Sequence, residues 1–136
     1  MNIWLMKSEP AVYPWSQLIA EGRTSWNGVR NYQANNNMKA MQVGDEAFFY
    51  HSNEGRCIVG IMKVVAPWHP DPEDASGKFG IVDVAPVAAL ANPVTLDTIK
   101  SHPLLSHMTL VRQGRLSVTP VTREERQEIM RLGKTL

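Results

Sequence analysis

The feature that most restricts this chain is a pair of β-rich runs separated by four turn residues. Glu46-Ala47-Phe48-Phe49-Tyr50-His51 is mostly apolar and aromatic, Ser52-Asn53-Glu54-Gly55 is turn chemistry, and Arg56 to Val65 is a second β-branched run. Aromatic and β-branched side chains fit a pleated surface, and a Ser/Asn/Gly cluster between two such runs reverses the chain, so the pattern predicts a hairpin. The other segments must be arranged around it.

Ile3 to Met6 is short and apolar enough for a buried strand, stopped by Ser8-Glu9-Pro10. Pro14 to Ala20 reads as a short helix with proline in its first turn and Gly22 just past its end. Tyr32 to Met41 is a second helix in which Tyr32, Met38 and Met41 share one face. Pro67, Pro70 and Pro72 mark a loop. The strand that follows, within Lys78 to Leu90, carries Pro86, which places it at a sheet edge or a bulge. Leu96 to Lys100 and Pro103 to Met108 form helical turns, and Leu116-Ser117-Val118 is a short strand stopped by Pro120. Thr122-Arg123-Glu124-Glu125 opens a last helix with a capping box and turns Ile129 and Met130 inward. Short strands interleaved with short helices, without regular alternation, define an α+β class with a compact mixed sheet or a small, partly open barrel.

The 136 residues fit one domain over 1–136, and 43% hydrophobic with 20% charged residues excludes disorder, collagen-like repeats and coiled coil. The lone cysteine, Cys57, sits in an apolar run, cannot pair within the chain and reads as a small buried hydrophobe in a reducing, cytoplasmic setting. No apolar stretch approaches the ~20 residues of a membrane span, so no membrane partner is expected. The formal charge of +1 neither supports nor excludes a nucleic-acid partner.

Standard catalytic and cofactor signatures are missing: there is no G-x-G-x-x-G, P-loop, G-x-S-x-G or H-E-x-x-H pattern, so no cofactor is expected. His51, His69, His102 and His107 have no set of companion ligands for a metal. His51 and Ser52, with Lys7, Ser8 and Glu9, would supply a base, hydroxyls and a carboxylate for a small hydrolase or transferase if they converged, but no motif in the sequence brings them together. The expectation is therefore a binding protein without catalysis.

Ser25 to Met38 is unusual in packing Trp26, Tyr32 and Arg30 among several amides with little apolar content. Amides pair with base edges, aromatics stack on bases, and arginine bonds phosphate or guanine. The same composition also fits a polar helix N-terminus with a tryptophan anchoring a loop, and both readings stand on composition alone. Trp4 and Trp15 read as core, while Trp68 in its proline-flanked loop reads as packing or as a pocket wall. Arg112 and Arg115 flank Gly114 in a turn that fits phosphate contacts or a solvated surface.

Five blocks together resemble the EVE domain in order: Trp4 to Pro10, Trp26 to Met38, Gly44-Asp45, Phe48 to Asn53 and Arg112 to Val118. This family belongs to the PUA-like superfamily alongside YTH and ASCH domains. The resemblance implies a curved mixed sheet or pseudo-barrel flanked by helices, and recognition of modified bases, modified cytosine in DNA first among them. RNA, such as tRNA or another structured RNA, is the alternative polymer. A nucleoside-like small-molecule sensor is a further alternative, and a downstream effector protein is left open. Carried over by position, the resemblance puts Lys7, Ser8, Trp26, Val29, Arg30, Asn31, Tyr32, His51, Ser52 and Asn53 around a ligand pocket, with Arg112 and Arg115 as phosphate contacts. The chain departs from the family pattern at Asn36, where arginine is frequent nearby, and at Phe79, where tyrosine is common, in a shortened loop from His69.

Overall fold

The computed structural model describes residues 1–134. In chain order the elements are β1 (Ile3–Ser8), α1 (Trp15–Glu21), β2 (Thr24–Ser25), α2 (Tyr32–Ala40), β3 (Glu46–His51), β4 (Cys57–Pro70) and β5 (Gly80–Thr95). There follow α3 (Leu96–Ser101), a single 3-10 turn (Leu105–His107), α4 (Thr109–Arg112), β6 (Val118–Val121) and α5 (Arg123–Gly133). Six strands form one sheet in the order β2-β5-β4-β3-β1-β6, in which only β1 and β3 run parallel. Register shifts break the β3–β4 ladder once and the β4–β5 ladder four times. Each such irregularity bends the strands and increases local twist, which gives an open, curved mixed sheet of the α+β class.

Both faces of the sheet are covered, and the period-2 geometry of β1 shows how. Trp4 and Met6 point into one core with Phe49, Met62, Val64, Val82 and Met38. Ile3 and Leu5 point into the other with Phe48, Tyr50, Ile61, Ile99 and Ile129. A strand buried on both sides has no polar alternation to show, which is why Ile3 to Met6 reads as an unbroken apolar run.

Local chemistry sets the helix ends. Gly22 closes α1 in the left-handed region at φ 74°, where a side chain would be strained. Thr122 and Glu125 form the reciprocal capping box at the start of α5, as the sequence pattern predicts. Asn31 caps α2 by accepting from the Ala34 N–H at 2.9 Å.

The structure departs from the sequence reading at several points. β4 runs on through Pro67 to Pro70 where a loop was expected. Its pairing with β3 ends at Lys63, so beyond that point one side of β4 has no ladder for a proline to interrupt. Pro120 likewise lies inside β6, an edge strand, rather than ending it. Pro86 does sit beside a register shift. In α2, Met38 and Met41 are buried but Tyr32 is exposed, and Ala34 and Asn35 take the inward positions instead. Cys57, at the start of β4, is only partly buried. The helix α4 is an addition, since a four-residue turn of helix leaves no periodic signal. No helix of the described residues is long and apolar enough to cross a membrane.

Candidate functional site

The parallel pairing of β1 with β3 places Lys7 opposite Tyr50 and Ser8 opposite His51 at the carboxyl ends of both strands. Open sheets with parallel strands tend to hold ligands just beyond such ends. Here the Ser52 N–H donates to the Ser8 carbonyl at 2.9 Å, and the Lys7 N–H donates to the Ser117 carbonyl at 2.9 Å. Three segments, 8–13, 51–56 and 113–117, are thereby drawn to one end of the sheet.

A recess of about 430 Å³ opens between the first of these segments and β2, lined by Lys7, Ser8, Glu9, Val12, Tyr13, Thr24, Ser25, Trp26 and Asn27. Trp26 forms its back wall. It is 7% exposed and meets Phe49 edge to face, with ring centroids 5.5 Å apart. Val12 at the rim is 76% exposed. The Ser8 hydroxyl donates to the Tyr13 carbonyl at 2.6 Å, which leaves its oxygen lone pairs as acceptors. The Tyr13 hydroxyl donates to Glu21 Oε1, so burial first and this bond second raise its pKa. Ser25 donates to Asp83 at 2.7 Å. Asn27 and Glu9 are exposed in the wall, as is Ser25, whose hydroxyl is already committed to Asp83.

Lys7 belongs to this recess and to a second of about 610 Å³, whose lining includes Glu9, Tyr50, Ser52, Asn53, Arg56, Lys100, Gly114 and Arg115. Its ammonium donates to the Gly114 carbonyl at 2.7 Å and lies 5.9 Å from the Tyr50 ring centroid. Half-burial pushes its pKa down. Two of its three N–H donors remain for a ligand. A third recess of about 360 Å³, with Asn31, Gln33, Gln113 and Arg115, continues past the Gly114–Arg115 turn.

Of the residues singled out in the sequence, Lys7, Ser8 and Trp26 thus share the first recess. Ser52, Asn53 and Arg115 join Lys7 in the second, and Asn31 meets Arg115 in the third. The remainder lie elsewhere. Val29 is buried in the core. Arg30 pairs with buried Asp71 at 3.1 Å and lies over Phe79 at 5.7 Å, and Tyr32 packs on the same ring at 5.0 Å. The backbone N–H of Glu73, with Arg30, holds the Asp71 pKa down. His51 Nε2 accepts the Trp15 N–H at 3.1 Å, and burial lowers its pKa, so the ring is a neutral acceptor at the start of α1. Arg112 donates to the His107 carbonyl and the Thr109 hydroxyl. Trp68 lies in β4, with its indole N–H bonded to Asn35 at 2.9 Å and Lys39 over its ring at 4.8 Å.

Tyr13, Arg56 and Lys100 line these recesses without a signal in the sequence, where Glu9 stands out only as a carboxylate for catalysis. Glu9 stands in a Ser-Glu-Pro stop, Arg56 opens a strand, and Lys100 ends a helix, so each has an ordinary local explanation. No cluster of three or more His, Cys, Asp or Glu suited to a metal occurs among the described residues.

A curved six-stranded mixed sheet, with pockets at the carboxyl end of its one parallel pair, defines a PUA-type domain. The EVE domain model matches residues 2–132, and the chain belongs to that family. Rat thymocyte nuclear protein 1 is 38% identical over 166 aligned residues, covering 96% of this chain and 73% of that protein. The NMR structure of Rpa0253 from Rhodopseudomonas palustris superposes with a TM-score of 0.94 at 48% identity, covering 98% of this chain and 94% of that one. The crystal structure of human THYN1 protein in complex with 5-methylcytosine-containing DNA superposes with a TM-score of 0.90 at 34% identity, covering 100% and 99%. A YTH domain from Zygosaccharomyces rouxii, at 10% identity and a TM-score of 0.64, shares the fold.

Proposed function

We propose that this protein binds nucleic acid and holds one modified base, 5-methylcytosine in DNA, in the first recess without catalysis. The observation that carries this reading is the human structure bound to 5-methylcytosine DNA, which matches this chain along its whole length. The recess geometry supports it chemically. A volume of about 430 Å³ is within the range of small-molecule sites and accommodates a nucleoside. Cytosine offers an exocyclic amine donor beside two acceptors. The Glu9 carboxylate is an acceptor for the amine, the Lys7 ammonium and the Asn27 amide are donors for the ring nitrogen and carbonyl, and the Ser8 oxygen accepts. Trp26 presents an aromatic wall, and Val12 an apolar surface for the 5-methyl group.

A base reaches such a recess only unstacked. Extrusion costs a few kcal/mol, and stacking on an aromatic returns about 1–3 kcal/mol, so backbone contacts must contribute the balance. Arg115, at the junction of the second and third recesses, is the phosphate contact this reading favours, with Asn31, Ser52 and Asn53 along the same path. Arg30, Tyr32 and Arg112 brace the loops around the site, and Val29 and His51 pack beneath it. The bond from Trp15 to His51 Nε2 supports a role without catalysis, because the ring nitrogen a general base would use is already an acceptor.

The test is a titration against otherwise identical oligonucleotides carrying 5-methylcytosine or cytosine, as DNA and as RNA, single-stranded and duplex. The expected result is tighter binding to methylated DNA, with the preference lost in Val12→Ser and with both strands weakened alike in Glu9→Gln. Equal affinity for methylated and unmethylated DNA refutes the base-reading role. Preference for RNA moves the assignment to the other polymer.

A further inference from the structure

We propose that the second recess is a track for the phosphodiester backbone, in which Arg56 and Lys100 join Lys7 and Arg115 as cationic contacts to phosphates flanking the bound base. This deepens the preceding reading and rests on it for the position of the base.

Charge distribution carries the argument. The chain has 14 lysines and arginines against 13 aspartates and glutamates, yet this recess is lined by Lys7, Arg56, Lys100 and Arg115 with Glu9 as its single carboxylate. Elsewhere four of the six arginines are neutralised, Arg23 by Asp83, Arg30 by Asp71, Arg126 by Glu46 and Arg131 by Glu128, while Arg112 bonds its own turn and Arg123 lies at the far end of the sheet. Among the described residues, Arg56, Lys100 and Arg115 form no ion pair. Clustered cations without carboxylate partners repel one another, and a polyanion relieves that repulsion while releasing its own counterions.

The mounting of these side chains is the second observation. Asn53, Gly55 and Arg56 all have left-handed backbone, at φ 65°, 78° and 34°. A left-handed backbone is uncommon for an arginine, and such conformations gather at ligand sites where the surroundings hold them. Here the Arg56 carbonyl accepts the Leu96 N–H at 2.8 Å, which ties the turn to the start of α3, and Lys100 lies one helical turn further on. On the opposite wall the Lys7 ammonium bonds the Gly114 carbonyl and fixes the turn that presents Arg115. Lys7 and Glu9 also line the first recess, so the two cavities adjoin at these residues.

The test compares wild type with Arg56→Gln, Lys100→Gln and the double variant, each checked for folding by circular dichroism. Ligands are methylated and unmethylated oligonucleotides, an abasic oligonucleotide of equal length, inorganic polyphosphate and free 5-methyldeoxycytidine, titrated at several salt concentrations. Each substitution should lower the slope of log affinity on log salt by about 1. It should weaken methylated and unmethylated strands by the same factor and leave the free nucleoside unchanged. Lys100→Gln, on an exposed helix position, keeps the test valid if the strained Arg56 turn does not tolerate change. Unchanged salt slopes in folded variants, with wild-type preference for methylated DNA intact, overturn the track and leave the base reading standing. Arg56- and Lys100-dependent binding of the abasic strand without any preference for methylation does the reverse. Polyphosphate binding equal to that of the abasic strand overturns the assignment to a nucleic-acid backbone, and no binding to any strand overturns both.

Discussion

Replacing Trp26 separates its structural load from its contact with ligand. The indole is 7% exposed, belongs to the core with Trp4, Met6 and Phe49, and meets the Phe49 ring edge to face. Truncating a buried tryptophan to alanine removes its transfer free energy and leaves a cavity, together about 3–5 kcal/mol. Domains of this size are stable by about 5–15 kcal/mol, so the variant should fold but be much weakened. With an unfolding entropy of about 2 cal/mol/K per residue, the melting temperature of Trp26→Ala should fall by roughly 10–20 °C. Thermal and urea denaturation followed by circular dichroism measure it. A loss below about 1 kcal/mol would refute the reasoning, because it would mean that the indole is not packed in the core. Trp26→Phe retains most of the apolar volume, and is therefore the variant in which a change in ligand affinity reports on the recess wall.

Three further outcomes follow from named contacts. Asn35 is 1% exposed, accepts from Trp68 Nε1 and the Gly80 N–H, and donates to the Lys78 carbonyl. Asn35→Ala leaves these three groups unpaired, and chemical denaturation should show a loss of about 3–5 kcal/mol, the lower part of about 1–3 kcal/mol for each because two of the bonds are only part-buried; a loss within experimental error would contradict the bonding. The Asp74 carboxyl is held down to about 2 by the Phe79 N–H first and then the Ser76 hydroxyl. A folded pKa below the unfolded 3.8 gives stability that is present above pH 3.8 and lost as pH falls through 2, so an NMR titration should place its midpoint near 2 rather than 3.8. Thr122→Ala removes the α5 capping box and should cost about 1 kcal/mol in urea unfolding, where no loss would show that the box is not formed.

What the sequence discloses of this fold is what local chemistry decides. The β3–β4 hairpin, the left-handed stop at Gly22 and the capping box at Thr122 each depend on a few consecutive residues. Pro67, Pro70 and Pro120 could not be read this way. Whether a strand tolerates proline depends on which neighbour it lacks, and that is a property of strand order. The same distinction runs through the site. Lys7 and Ser8 reach the recess because β1 pairs in parallel with β3, and Trp26 is a core residue as well as a wall because Phe49 comes to it from β3. Arg112 and Arg115 look alike in sequence, yet one guanidinium bonds its own turn while the other lines two recesses. Tyr32 and Arg30 look like ligand groups in the polar segment, yet both pack on Phe79, forty-odd residues away.

The most direct test of the central claim is an NMR titration of the isotopically labelled protein with a DNA strand carrying one 5-methylcytosine. The account predicts that the largest shifts fall on the Trp26 indole N–H, the Asn27 amide and the backbone of residues 8–13, and that they are smaller with unmodified cytosine. Shifts confined to the opposite end of the sheet, around Met1, Ile3, Val121 and Arg123, would contradict it.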